Sequence, residues 1–163
     1  NQINPHFFFN SLNSLSMLVR AGQNDGALTY IDRLSDTFRY IIQNGRQGLT
    51  TLGEELKFLD AYKYLHEVRY ADKLFFDIEI DENLKRWQLP SMSLQPLIEN
   101  AVKHNSITRS RPFHVSIRTQ REFLIVSNPI IPKIDAPGST GIGLKNLSSR
   151  YVLLTGREIV VKR

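Results

Sequence analysis

The stretch Asn4-Pro5-His6-Phe7-Phe8-Phe9-Asn10-Ser11-Leu12-Asn13 constrains this chain more than any other. Taken as a helix, it puts His6, Asn10 and Asn13 four and three residues apart, on one face. Phe8, Leu12, Leu15 and Val19 repeat with the same 4-3-4 spacing about half a turn away. The helix therefore has an apolar seam on one side and a polar stripe headed by a histidine on the other. Asn4 suits the cap, and Pro5 suits the first helical position, where its missing N–H leaves nothing unpaired. The pattern predicts a helix over 5–21 that stops at Gly22. A histidine displayed this way can carry a transferable group or be an ordinary surface residue. Spacing alone does not choose.

The next helix carries Ala27, Ile31, Leu34, Phe38 and Ile41 at 4-3-4-3 spacing and breaks at Asn44-Gly45. Asn24 or Asp25 can cap it, and the turn through Gly22 and Gly26 makes the pair a helical hairpin. In such a hairpin each helix has one neighbour, so an apolar stripe is left over. Pairing with a second copy into a four-helix bundle is the expected solution, and packing on the rest of the chain is the alternative.

Thr51-Leu52-Gly53-Glu54 has the form of a capping box, opening a third helix through Leu56, Leu59, Tyr62 and Leu65 to about Tyr70. Residues 76–81 alternate apolar and acidic, as a half-buried strand does. A helix is predicted over 94–104, and a β-hairpin over 113–119 and 123–127. A loop with three prolines spans 129–138. A helix then opens at Gly141-Ile142-Gly143-Leu144 and runs to about Leu154, with a last strand over 158–162. Strands mixed with helices after a purely helical start imply an α+β chain of two domains, a hairpin at 1–50 and an α/β unit at 51–163.

Composition narrows the partners. At 163 residues and 41% hydrophobic content the chain can bury a real core. It has no cysteine, which excludes disulfides and thiolate zinc sites. No apolar run reaches the roughly 18 residues a membrane span needs. The net charge of +5 is uneven: residues 1–81 hold 8 Lys/Arg against 11 Asp/Glu, and residues 82–163 hold 13 against 5. A basic second half favours an anionic ligand such as a nucleotide or a nucleic acid. No aromatic-rich basic stripe or reading helix is evident, so direct nucleic-acid binding is not expected. The abrupt start against a helix suggests a piece of something longer.

Two further clusters can carry chemistry. Asn100 and Lys103 sit three apart on the 94–104 helix, so an amide oxygen and an ammonium point the same way. The first suits Mg²⁺ and the second a phosphate. Glu99 could orient a water or face solvent. In Gly138-Ser139-Thr140-Gly141-Ile142-Gly143-Leu144-Lys145-Asn146, glycines before a helix let the backbone approach an anion. A lone G-x-G is weak, and this one lacks the P-loop lysine.

In order and wording the three clusters resemble the LytS-type sensor histidine kinases, whose catalytic domain belongs to the GHKL ATP-binding superfamily. Asn4-Pro5-His6-Phe7 with Asn10-Ser11-Leu12-Asn13 looks like that family's phosphoacceptor box. Leu94-Gln95-Pro96-Leu97-Ile98-Glu99-Asn100-Ala101-Val102-Lys103-His104 looks like its N box. Thr140-Gly141-Ile142-Gly143-Leu144-Lys145-Asn146-Leu147 with Arg150 looks like its glycine box and the helix after it.

The resemblance implies a dimerising hairpin followed by a Bergerat-type α/β sandwich, using ATP and Mg²⁺. His6 would be the phosphoacceptor, with Asn10 and Glu99 as the other catalytic candidates. Asn100 would hold Mg²⁺, and Lys103 and His104 would contact phosphates. Gly141, Gly143 and Leu144 would form the loop over the nucleotide. Related domains follow a strand with Asp-x-Gly, which reads adenine; here Asn128-Pro129-Ile130 stands there, so the acceptor is uncharged and Ile130 is bulkier than Gly. A homodimer passing its phosphoryl group to a response-regulator receiver domain is implied, as the cytoplasmic core of a membrane-anchored sensor. The rival is a dimeric scaffold of the same fold without phosphotransfer.

Overall fold

The protein was analysed as a computed structural model that describes residues 4–45, 48–134 and 142–162. Helix α1 spans Pro5–Arg20, begun as its sequence dictates: the Asn4 side-chain oxygen accepts from the His6 N–H at 3.0 Å, and Pro5 takes the first turn. Gly22, at φ +70°, turns the chain where a side chain would be strained. Helix α2 spans Asn24–Asn44. Its cap is Gln23, without a side-chain hydrogen bond, so Asn24 and Asp25 lie inside the helix rather than capping it. Asp25 in the first turn still complements the helix dipole.

The face that α1 buries corrects the expected seam. Phe8, Leu12 and Val19 are exposed, Leu15 is half-buried, and the buried residues are Phe7, Ser11 and Ser14. Phe7 wedges between Phe38 of α2 and Tyr62 and His66 of helix α3 (Leu52–Arg69), 5.3 Å from the Tyr62 ring centre. The two serines are small enough to let helices approach closely. Ser11 donates its hydroxyl to the Phe7 carbonyl at 2.8 Å, leaving no buried donor unpaired. On α2 the buried set is Ala27, Tyr30, Leu34, Thr37 and Ile41, while Ile31 is exposed and Phe38 half-buried. Both helices pack on α3, so each has more than the single neighbour expected of an isolated hairpin. Their outer faces keep an apolar stripe that includes Phe8, Leu12, Val19, Ile31 and Ile42.

The Thr51 hydroxyl caps α3 by accepting from the Glu54 N–H at 3.2 Å, and the Glu54 carboxylate pairs with Lys57. A small antiparallel ladder of β1 (Leu49–Thr51) with β3 (Gln88–Pro90), not foreseen from the sequence, precedes α3 and ties it to the segment leading into helix α4 (Leu94–His104). The main sheet has the order β2-β4-β5, formed by Leu74–Glu79, Phe113–Gln120 and Phe123–Ser127. Strand β2 starts two residues earlier than its alternation suggests. It runs parallel to β4, with α4 in the crossover, and β4 and β5 form the expected hairpin. Phe113, Val115 and Ile117 face one core with Leu94, Ile98 and Ala101 of α4 and Phe58, Tyr62 and Leu65 of α3. Helix α5 spans Ile142–Thr155 and buries Leu147.

The α+β class is as expected. The strand expected over 158–162 is not formed: Val160 and Val161 are exposed, and none of these residues joins a ladder among the described strands. A strand exists only by pairing, and an apolar run without an edge beside it stays irregular.

Candidate functional site

His6 sits in the first turn of α1, exposed, with the Asn10 amide 3.0 Å from its Nδ1. The i, i+4 spacing on one helix produces this contact, which fixes the plane of the imidazole while the outer ring nitrogen faces away from Asn10. His66 of α3 is buried against the Phe7 and Tyr62 rings, and neither of its ring nitrogens has a hydrogen-bond partner among the described residues. Burial, aided by the nearby Arg69, lowers its pKa to about 3.

This histidine sets a pH dependence. It stays neutral in the folded protein down to about pH 3, whereas in the unfolded chain it takes up a proton below its ordinary 6.5. The unfolded state then binds more protons, so stability falls as pH drops below 6.5. By pH 5 the loss is on the order of 2 kcal/mol. Urea unfolding at pH 7.5 and pH 5 is expected to show this loss in the native sequence and a much smaller one in His66→Leu. An equal loss in both would assign the effect elsewhere.

The α4 cluster lies on one helix, as expected. Asn100 and His104 are half-buried and Lys103 is exposed, and none of the three makes a hydrogen bond or ion pair among the described residues. Their polar atoms are therefore available to a ligand. Glu99 is differently placed: its Oε1 accepts from the Tyr62 hydroxyl at 3.1 Å and from the Gln95 amide at 3.2 Å. Burial, then the Glu99 charge, pushes the Tyr62 phenol well above its ordinary range, which keeps it a neutral donor. Glu99 thus anchors α4 to α3. Through the Phe7–Tyr62 ring contact, α1 and α4 meet on the same tyrosine.

Asn128 follows β5, exposed, with its amide donating to the Pro129 carbonyl at 2.7 Å. Sequence reasoning missed the residue that ties this segment to α4. Buried Asn105, just past the helix, donates to the Ala101 carbonyl at 2.9 Å and accepts from the Ile131 N–H at 2.7 Å. The Asn128 segment is thereby fastened beside the end of α4 that carries Lys103 and His104. Gly141 lies outside the described residues. Gly143 is in the first turn of α5 and Leu144 is half-buried there. No described contact joins His6 to the α4 cluster directly.

A second missed residue is Glu55, wholly buried on α3. Its carboxylate accepts from the Tyr40 hydroxyl at 2.5 Å and from the N–H groups of Met92 and Leu94 at 2.8 and 3.3 Å. A carboxylate at the fourth position of an amphipathic helix reads as solvated surface, so only the buried neighbours at Leu52, Phe58 and Leu59 hint at its burial.

Comparison with known proteins matches residues 1–74 to a family described as histidine kinase. The chain is 37% identical over 171 aligned positions to "Sensor protein LytS" of Streptococcus mutans, covering 95% of this chain and 29% of that protein. It is 32% identical to "Sensor protein LytS" of Staphylococcus haemolyticus, covering 96% of this chain and 30% of that one. It is 27% identical to "Sensor histidine kinase YesM" of Bacillus subtilis, covering 95% of this chain and 28% of that one. The chain spans less than a third of the length of these relatives.

Proposed function

We propose that this chain, a member of the LytS-type sensor histidine kinases, is the dimeric core in which His6 accepts the γ-phosphoryl group of ATP and hands it to an aspartate of a response-regulator receiver domain. The observation that carries this reading is His6 itself: exposed at the head of α1, its ring held by Asn10 at 3.0 Å. The Asn10 amide nitrogen is the atom 3.0 Å from Nδ1; rotating that amide by half a turn puts its oxygen there instead, where it accepts from Nδ1–H and leaves the lone pair on Nε2 pointing outward. That lone pair forms the N–P bond as the bond from the γ-phosphorus to the bridging oxygen breaks, and ADP leaves with the electron pair. The carboxylate of the receiver aspartate then takes the phosphoryl group and restores the neutral imidazole.

In this reading residues 51–163 form a Bergerat-type ATP-binding unit and residues 1–50 the dimerising hairpin. Asn100 fits Mg²⁺, because its amide has no partner among the described residues and Mg²⁺ needs few protein ligands. No group of three His, Asp or Glu able to cage an ion occurs among the described residues, so the other ligands would come from phosphates and water. Bound there, the ion supplies charge neutralisation at the phosphates. Lys103 and His104 would contact the phosphates, Glu99 holds the helix that presents them, and Asn128 would face adenine. Gly141, together with Gly143 and Leu144 in the first turn of α5, would close over the nucleotide. The exposed stripe of Phe8, Leu12, Val19, Ile31 and Ile42 supports pairing with a second copy. No described helix is long and apolar enough to cross a membrane. The anchor of a membrane sensor, with this core on its cytoplasmic side, would belong to the rest of the protein.

The scaffold reading is favoured by one feature, the replacement of Asp-x-Gly by Asn128-Pro129-Ile130. Titration with Mg-ATP separates the two. Saturable binding is expected, tightened about five-fold or more by Asn128→Asp, since a charged acceptor adds on the order of 1 kcal/mol over a neutral one. Absence of binding would favour the scaffold, and unchanged affinity in the variant would remove Asn128 from the site.

A further inference from the structure

The buried carboxylate of Glu55 joins parts of the fold that are far apart in the chain. It receives the Tyr40 hydroxyl from the end of α2 and, at the start of α4, the N–H groups of Met92 and Leu94. Met92 has φ +61°, a left-handed conformation that a side chain adopts only when its surroundings impose it. Its N–H is the one Glu55 holds at 2.8 Å. Leu94 begins α4, so Glu55 also meets a helix N-terminus, where free N–H groups and the dipole favour a negative charge. From the other side comes Arg150 of α5, whose guanidinium donates to the Ser91 carbonyl and feels the Glu55 charge. Three segments, two of which carry the proposed nucleotide site, therefore converge on a group supplied by a fourth.

We propose that Glu55 is a positioning residue through which the helical hairpin sets the placement of α4, and with it nucleotide affinity. The proposal rests on the kinase reading for its ligand. Tyr40 is the contact that makes it specific. Its ring stacks on Phe58 at 4.6 Å, a contact that Tyr40→Phe preserves while removing only the hydroxyl that Glu55 receives. A hairpin residue far along the chain from the nucleotide motifs should then alter nucleotide binding without disturbing the fold. Arg150 should matter through the same carboxylate rather than independently.

The test measures Mg-ATP dissociation constants for the native protein, Tyr40→Phe, Glu55→Gln, Arg150→Met and the Glu55→Gln/Arg150→Met pair. Hydrogen exchange at Met92, Leu94 and the β4–β5 hairpin is read in parallel, at a temperature where each variant is folded. Tyr40→Phe is expected to weaken binding at least three-fold and Glu55→Gln at least ten-fold. Exchange should quicken at Met92 and Leu94 and stay unchanged in β4–β5. The double variant should lose at least five-fold less than the product of the two single losses, because one cluster is being broken twice. Native affinity in Tyr40→Phe and Glu55→Gln, or uniform quickening of all amides, would overturn the proposal. Should the native protein bind no nucleotide, the kinase reading fails instead, and the exchange pattern alone decides whether Glu55 holds α4.

Discussion

Asn100→Ala is expected to reduce phosphoryl labelling from Mg-ATP at least about 100-fold, because it removes the one protein ligand proposed for the ion. The fold should survive. Asn100 is half-buried on α4 and makes no hydrogen bond or ion pair among the described residues, so its truncation leaves no buried group unpaired. The neighbouring Glu99 provides the contrast, since Glu99→Ala breaks the Tyr62 hydrogen bond and loosens α4 from α3. Circular dichroism and the thermal midpoint should therefore match the native protein in Asn100→Ala and fall in Glu99→Ala. Labelling of Asn100→Ala within about three-fold of native would remove Asn100 from the site. A large fall in its thermal midpoint would make it a structural residue.

The second large effect is on α1. Phe7→Ala is expected to lower unfolding free energy by about 3–5 kcal/mol, as deletion of a buried aromatic does. The ring it removes is almost wholly buried among Phe38, Tyr62 and His66. Few other buried side chains tie α1 down, because Ser11 and Ser14 contribute little apolar area. The hole left would also wet His66, whose unpaired nitrogens could then reach water, so the pH dependence below 6.5 should shrink in the same variant. Phe8→Ala is the control. Phe8 is 38% exposed against 7% for Phe7, so the monomer should lose less than in Phe7→Ala, while the proposed dimer should dissociate at higher protein concentration than the native one. Light scattering across a dilution series together with urea unfolding reads both quantities. A costlier Phe8→Ala in the monomer would mean the two faces of α1 are exchanged.

That exchange was the error periodicity invited. Three consecutive phenylalanines put apolar groups on two sides of α1, and a 4-3-4 count finds the seam with the most large residues. The face that packs within the chain is the one with a single phenylalanine and two serines, because close approach needs small neighbours. Helix α4, by contrast, was legible to the residue. Proline inside the first turn and polar residues at the far end bound a strongly amphipathic run. The β4–β5 hairpin was legible because β4 alternates regularly, β5 is a short apolar run and the turn between them is short. The strand expected over 158–162 failed because a short apolar, β-branched run shows only that a segment could pair, not that an edge is there.

The site divides in the same way. That His6 and Asn10 share one face of α1, and that Asn100 and Lys103 lie together on α4, could be read from their spacing. Their supports could not. Glu55, Tyr62 and Asn105 act through hydrogen bonds across 15 to 39 positions of chain, which no local pattern records. A buried glutamate and an exposed one look alike in a helix until the elements that cover it are placed.

Central to the proposed function is the assignment of His6 as the group that takes the phosphoryl. Incubation with γ-³²P-ATP and Mg²⁺, of the native protein beside His6→Gln, tests it directly. The account requires label on the native protein that is lost on acid treatment, as a phosphoramidate is, and none on the variant. Acid-stable label, or label that persists in His6→Gln, would contradict it.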